Sequence, residues 1–286
     1  MISEKIIEKA SKILKNHNIQ SHELDAQLIL SNIMKVKREY LIINNKLAIP
    51  EKIMEKYDLA IKRRIKREPV AYITGKKEFW SDNYLVNRGT LIPRPETELL
   101  IYKIVNFFKN KKINILDIGT GSGCILLSIL KELNFARGIG IDSSSKAIKT
   151  AEENSKNLKL SYRSKFKVAN LEKFNLGKYD LIVSNPPYIS SKDIKNLSKD
   201  IINYEPLIAI NGGLDGLDLI KKVIYKSNAL LKRNGLLAIE IGCNQYRKAL
   251  SILIQHGYRE IHKEYDNCRN VRCIISTKLD FFKLKK

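Results

Sequence analysis

Apolar residues recur at helical spacing over the first quarter of the chain. Ile6, Ile7, Ala10, Ile13 and Leu14 form one stripe, and Leu24, Leu28 and Ile29 form another. Ser21 is placed to cap the second helix, and Pro50 to open a later one that carries Ile53, Tyr57, Ala60, Ile61 and Ile65 inward. These faces predict a small helical bundle ending at Glu68-Pro69. Between Gly75 and Val86, short aromatic and β-branched pieces flank Ser81-Asp82-Asn83, predicting a hairpin with Trp80 packed in it. Beyond Pro93-Arg94-Pro95 apolar strands alternate with helical segments, the mark of a parallel α/β sheet. The predicted strands are 113–118, 138–142, 165–169, 179–184 and 236–241. After Gly257 two close strands, 258–263 and 271–277, flank the polar Asp266-Asn267-Cys268-Arg269-Asn270 and predict an antiparallel pair. The basic Lys283 to Lys286 read as a frayed end.

A length of 286 residues suits one large domain with a smaller companion. No apolar run approaches the ~20 residues of a membrane helix. Met1-Ile2-Ser3-Glu4-Lys5 leads straight into an amphipathic pattern without the features of a signal peptide, so a soluble, cytoplasmic protein is expected. The cysteines, Cys124, Cys243, Cys268 and Cys273, form no Cys-x-x-Cys pair and have no zinc-like His spacing; they read as reduced structural thiols, with no metal site expected. A net charge of +22 favours encounters with polyanions or acidic partners. Lysine, isoleucine and asparagine are abundant throughout, however, so the charge reads as diffuse. The run Lys62, Arg63, Arg64, Lys66 and Arg67 reads as a solvated helix face.

Chemistry concentrates at the strand ends. Ile115-Leu116-Asp117-Ile118-Gly119-Thr120-Gly121-Ser122-Gly123 is a buried strand running into a glycine turn, where backbone amides can approach a ligand at the carboxyl edge of the sheet. Dinucleotide folds use a similar turn, but their fingerprint wants Gly or Ala where this chain has Cys124. Asp142 ends the next strand, placed to accept both hydroxyls of an adenosine ribose. Ser143-Ser144-Ser145 follow and supply helix caps without it. Asp117 points to the same edge and would hold the amino end of a bound methionine, with Asn170-Leu171 beside the adenine. Ser184-Asn185-Pro186-Pro187-Tyr188-Ile189 leaves the fourth strand along a path stiffened by two prolines. The Asn185 carbonyl and neighbouring main-chain oxygens would accept both hydrogens of an NH₂ group. That would favour charge build-up on a nitrogen attacking a methyl sulfonium. Tyr188 would stack on the planar group, a role needing its ring and not its hydroxyl.

These motifs together resemble the release factor glutamine methyltransferases, the PrmC/HemK family. So do Glu68-Pro69-Val70-Ala71-Tyr72-Ile73-Thr74-Gly75, Leu91-Ile92-Pro93-Arg94-Pro95-Glu96-Thr97-Glu98, Glu205-Pro206 and Asn211-Gly212-Gly213-Leu214-Asp215-Gly216-Leu217, in the same order along nearly the whole chain. The resemblance implies an N-terminal helical substrate-docking domain (1–75), a hairpin linker (76–92) and a seven-stranded, Rossmann-like class I S-adenosyl-L-methionine-dependent methyltransferase domain (93–286). It implies methylation of the glutamine side-chain amide in the Gly-Gly-Gln motif of peptide chain release factors, with no membrane and no stable nucleic-acid partner. By position, Asp117, Gly119, Thr120, Gly121, Ser122, Gly123, Asp142, Asn170, Leu171 and Asn185 correspond to the cofactor site. Asn185, Pro186, Pro187 and Tyr188 correspond to the catalytic glutamine site, with Arg94 and Glu96 at its entrance. Asn170 replaces a usual Asp, and Arg269 and Val271 replace Gly and Asp ahead of the arginine matched by Arg272. The alternative is methylation of the exocyclic amino group of adenine or cytosine in RNA or DNA, whose nitrogens suit the same tetrapeptide.

Overall fold

The computed structural model describes residues 2–278, so the basic 283–286 tail lies outside the described residues. The chain divides into two compact units, one comprising Met1–Lys76 with Ser198–Tyr204, the other Lys77–Leu197 with Glu205–Lys286.

The first unit is a helical bundle of α1 (Ser3–Asn16), α2 (His22–Met34), α3 (Arg38–Ile43), α4 (Glu51–Ile65) and α5 (Val70–Thr74), joined by the short helix Lys199–Tyr204. Ile6, Leu14, Ile29, Leu30, Leu41, Tyr57 and Ile61 fill its core. Three local expectations give way here. Leu24 is exposed, because α2 turns Asp25, Ala26, Ile29 and Leu30 inward. Ser21 occupies the N-cap position without capping, since its hydroxyl donates to Asp25 Oδ2 at 2.9 Å. The basic run is not uniformly solvated: Arg64 is 6% exposed. It donates to Asp25 Oδ2 and Asp200 Oδ2, both at 2.7 Å. Arg63 grips Glu68 with two bonds of 2.7 and 2.9 Å.

Strands β1 (Lys76–Phe79) and β2 (Asp82–Leu85) form the hairpin. Its turn is Trp80-Ser81, both at positive φ (50° and 61°), so Asp82 and Asn83 belong to the second strand instead of the turn. Trp80 is partly buried against the neighbouring core, and its Nε1–H donates to Glu132.

The second unit continues with α6 (Glu98–Phe108), β3 (Asn114–Ile118), α7 (Cys124–Glu132), β4 (Arg137–Asp142), α8 (Ser145–Asn157), β5 (Ser164–Val168) and β6 (Tyr179–Ser184). The Lys199–Tyr204 helix is α9, and α10 (Asp218–Leu230), β7 (Leu231–Glu240), α11 (Tyr246–Gln255), β8 (Tyr258–Tyr265) and β9 (Val271–Lys278) follow. The seven strands β3 to β9 form one sheet in the order β5-β4-β3-β6-β7-β9-β8. The pairs from β5 to β7 are parallel and β7-β9 is antiparallel, while β9-β8 is the antiparallel pair that the two close terminal strands predict. β7 begins at Leu231 instead of Leu236, with a register shift against β6. One apolar layer, around Leu100, Ile104, Leu126 and Leu130, and another, around Ile220, Ile224 and Leu253, make up the core clusters of this unit. Chain order reverses between β3 and β6, leaving a crevice beyond their carboxyl ends, where open α/β sheets bind ligands. Cys124 and Cys273 are buried and Cys243 and Cys268 exposed, all as free thiols. Among the described residues no helix is long and apolar enough to cross a membrane.

Candidate functional site

The glycine turn after β3 requires left-handed backbone at Gly119, Gly121 and Gly123 (φ 73°, 56° and 80°). The three serve different ends. A Cβ added at Gly119 or Gly121 would meet nothing within 4 Å, so both face open space. At Gly123 it would meet Ala151 and Phe166 at 3.1 and 3.2 Å, so Gly123 serves the packing of α8 and β5. The Gly121 N–H donates to Asp142 Oδ2 at 3.0 Å, and the Ser144 N–H to Asp142 Oδ1 at 2.9 Å. Ser144 itself caps α8, its Oγ accepting from the Ala147 N–H. The Asp142 carboxylate is thereby fixed at the strand end while the capping task falls to another side chain.

A cleft of about 350 Å³ opens here, within the range of small-molecule sites. Gly119, Gly121, Asp142, Asn170, Leu171, Asn185 and Pro187 line it, with Ile118, Ile141 and Ala169 among its apolar walls. Of the other residues assigned to the cofactor, Thr120, Ser122 and Gly123 are not in the lining, and Thr120 and Ser122 are buried beneath the turn. Asn170 Oδ1 accepts from the Glu172 N–H at 2.8 Å, shaping the turn after β5. Asp117 is fully buried and does not line the cleft. Its Oδ2 accepts from the Thr120 hydroxyl at 2.6 Å, and its Oδ1 has no partner. Burial pushes its carboxyl up to about 7, with the Thr120 bond opposing and the nearby Asp142 charge adding to the rise.

At the mouth of β6 the chain turns out through Asn185-Pro186-Pro187-Tyr188. Asn185 Nδ2 donates to Thr97 Oγ1 at 3.1 Å, and the Thr97 hydroxyl donates to Glu240 Oε2 at 2.7 Å. The other Glu240 oxygen accepts from the Tyr188 hydroxyl at 3.2 Å, and that hydroxyl accepts from Arg272 at 3.0 Å. The Tyr188 hydroxyl is therefore a bonded part of the site, which a role for the ring alone does not account for. Glu240 is completely buried at the end of β7. Burial raises its pKa, with the Thr97 bond and the Arg272 charge opposing.

The glycine-rich 211–217 segment packs behind the tetrapeptide. Gln245 clamps Tyr188 O and Gly216 O at 2.9 and 3.0 Å, and a Cβ on Gly216 would lie 2.4 Å from Tyr188 O. Arg94 does not line the cleft. It pairs with Glu205 Oε1 at 2.5 Å, whose other oxygen accepts from the Ile92 N–H, tying the 92–94 segment to the chain that supplies Pro206 to the cleft wall. Glu96 is exposed on the Pro95–Thr97 turn. In the final hairpin, Arg269 takes φ 62°, the left-handed conformation that favours the family's usual Gly, and Val271 is buried. Asp266 Oδ1 organises that loop by accepting from the Cys268 and Asn270 N–H groups.

Sequence reasoning did not single out Thr97, Glu240 or Arg272 as site members. A carboxylate within the apolar Leu236-Leu237-Ala238-Ile239-Glu240-Ile241 run was the available signal for Glu240.

The reversing strand order, the glycine turn and a fixed carboxylate at the end of the neighbouring strand define a class I S-adenosylmethionine-dependent methyltransferase. Residues 109–281 match the methyltransferase domain family, and residues 5–75 match the PrmC N-terminal domain. The fold is similar to a methyltransferase from Pyrococcus furiosus, with a TM-score of 0.53 at 16% identity over 68% of this chain and 88% of that one. The release factor glutamine methyltransferase of Clostridium acetobutylicum is 36% identical over 94% of this chain and 96% of its own length. That of Caulobacter vibrioides is 34% identical over 93% and 92%. The chain belongs to the release factor glutamine methyltransferase family.

Proposed function

We propose that this chain methylates the side-chain amide nitrogen of the glutamine in the Gly-Gly-Gln motif of peptide chain release factors. The observation that carries the reading is Asn185: its NH₂ is held by Thr97, which leaves Oδ1 as an acceptor at the end of the cleft farther along the sheet edge from Asp142. S-adenosylmethionine supplies an electrophilic methyl group on a sulfonium. Gly119 and Gly121 leave room for it, Asp142 accepts the ribose hydroxyls, and Asn170 and Leu171 border the adenine. Asp117 braces the glycine turn from behind by accepting from the Thr120 hydroxyl.

The substrate amide is a weak nucleophile because its lone pair is delocalised. Asn185 Oδ1 and a main-chain oxygen of the rigid Pro186-Pro187 path accept its two N–H bonds, orienting the nitrogen toward the methyl carbon. Both bonds strengthen as positive charge grows on nitrogen, so they favour the transition state over the ground state. Transfer would exchange the methyl C–S bond for a C–N bond, leave the demethylated cofactor as a neutral thioether, and pass one amide N–H proton to solvent. The Tyr188 ring stacks on the planar amide. The helical unit docks the release factor, a role supported by the exposed Tyr40, Ile42 and Ile43 of α3. Such a substrate places the reaction in the cytoplasm.

The test is methyl incorporation from labelled cofactor into an intact release factor, into the factor with its Gly-Gly-Gln glutamine changed to alanine, and into bulk RNA and DNA. Label should appear in the intact factor only. Asn185→Ala should bind cofactor nearly normally and lose turnover by about two to three powers of ten, the scale for one transition-state hydrogen bond. Equal labelling of the altered factor, or faster labelling of nucleic acid, overturns the assignment.

A further inference from the structure

Thr97 stands at the N-cap position of α6, where a Thr side chain commonly closes an open backbone N–H, yet it makes no capping bond. Its single hydroxyl hydrogen goes instead to Glu240 Oε2, 143 residues away, at 2.7 Å. A hydroxyl that has given its hydrogen away can only accept from its next neighbour. Asn185, at 3.1 Å, must therefore present its NH₂ to Thr97 and turn Oδ1 the other way. The direction of the chain is set at its far end. Glu240 receives a hydroxyl on each oxygen, from Thr97 and from Tyr188, and Arg272 lies 3.9 Å from the oxygen on the Tyr188 side.

We infer that Glu240 and Thr97 are positioning residues that fix the orientation of the Asn185 amide, so that the site offers an acceptor and selects an NH₂ group over a carbonyl or carboxylate. The inference rests on the reading of Asn185 as the acceptor for the substrate amide. It gives Glu240 a role that its near-isostere cannot fill. In Glu240→Gln, the positive charge of Arg272 keeps the amide oxygen on its own side and puts the new NH₂ against Thr97. Thr97 then accepts from Gln and donates to Asn185, which must reverse and present NH₂ to the substrate. Asn185→Asp fails for the opposite reason. With the Thr97 hydrogen committed to Glu240, no hydrogen lies between Asp and Thr97 oxygens at the 3.1 Å separation of the native pair. The two changes together restore a consistent relay: Gln donates to Thr97, Thr97 donates to Asp, and the second Asp oxygen faces the substrate as an acceptor.

The experiment measures kcat and KM on an intact release factor, and cofactor Kd by calorimetry, for Asn185→Ala, Glu240→Gln, Asn185→Asp, the Glu240→Gln/Asn185→Asp double variant, Thr97→Val and Thr97→Ser. Each Glu240→Gln and Asn185→Asp single variant should lose about 100-fold in kcat, within the range for a misplaced transition-state hydrogen bond, with cofactor Kd within about twofold. The double variant should exceed either single variant by about tenfold or more, a sign reversal that independent structural damage does not produce. Thr97→Val should lose roughly tenfold in kcat with little change in KM, and Thr97→Ser should restore most of it. Near-native turnover in Glu240→Gln, or a double variant no better than the singles, overturns the relay. If the Glu240 variants do not fold, equal kcat in Thr97→Val and Thr97→Ser overturns it. Full activity of Asn185→Ala instead removes the acceptor reading beneath it, so the two failures are told apart.

Discussion

Replacing Asp117 by Asn exchanges one oxygen for NH₂ at a completely buried position and removes a titration from the folded state. The carboxyl is pushed up to about 7 by burial, against ~3.9 for an exposed Asp, so between those values the folded protein holds a proton that the unfolded chain has released. The stability tied to this proton is fully present below about pH 4 and declines by ~1.4 kcal/mol per pH unit. It has been lost, ~4 kcal/mol in all, once the pH passes about 7. Asn keeps an acceptor for the Thr120 hydroxyl and has no charge to desolvate. The unfolding free energy of Asp117→Asn minus that of the native chain should therefore rise by roughly 4 kcal/mol between about pH 4 and pH 8. Taking the difference cancels the pH dependence of the +22 net charge, which both proteins share. Urea unfolding at a series of pH values, with matched m-values, measures it. A difference independent of pH would refute the assignment of a raised, buried carboxyl at this position.

Asp142→Ala should weaken cofactor binding by about 1.5–3 kcal/mol, or roughly 10- to 150-fold, and an unchanged Kd by calorimetry in a folded variant would remove Asp142 from the ribose site. Tyr188→Phe deprives Glu240 of a donor and Arg272 of an acceptor, so it should cost about 1–3 kcal/mol in stability and roughly tenfold in turnover. Native-like melting and turnover would restrict Tyr188 to its ring. Arg64→Met leaves the Asp25 and Asp200 carboxylates facing a bundle interior without their cation and should destabilise the helical unit by about 3 kcal/mol. Lys62→Met, on an exposed position nearby, is the control; equal unfolding curves for the two would count against the ion triad.

The sheet was legible because its strands are short apolar runs between helical periods, and the terminal antiparallel pair because a polar loop too short for a crossover separates them. The glycine turn, Asp142 and the Asn-Pro-Pro-Tyr tetrapeptide declare themselves through residue types with few alternative uses at strand ends. What stayed hidden is polar and paired over distance. Glu240 finds Thr97 across 143 residues, and Arg272 finds Tyr188 across 84, while periodicity reports only which apolar positions share a face. Arg64 escaped for the same reason: a basic run looks solvated until a distant carboxylate supplies its partner. The turn was expected at Ser81-Asp82-Asn83 instead of Trp80-Ser81 because left-handed backbone at Trp has no compositional mark. Within the glycine turn the pattern did not separate Gly119 and Gly121, which open onto the cleft, from Gly123, which packs against α8.

The contribution of α9 to the helical bundle bears on how the chain is made. Arg64 meets Asp25 early in synthesis, but Asp200 follows 136 residues later. At ~5–20 residues per second, the nascent bundle waits about 7 to 27 s on the ribosome with its buried guanidinium holding one of its two carboxylate partners. An N-terminal segment would ordinarily be the first to reach its final form. Here its completion waits until most of the catalytic sheet, through β6, has been translated, so the maturation of the first-made part is timed by the emergence of the later one.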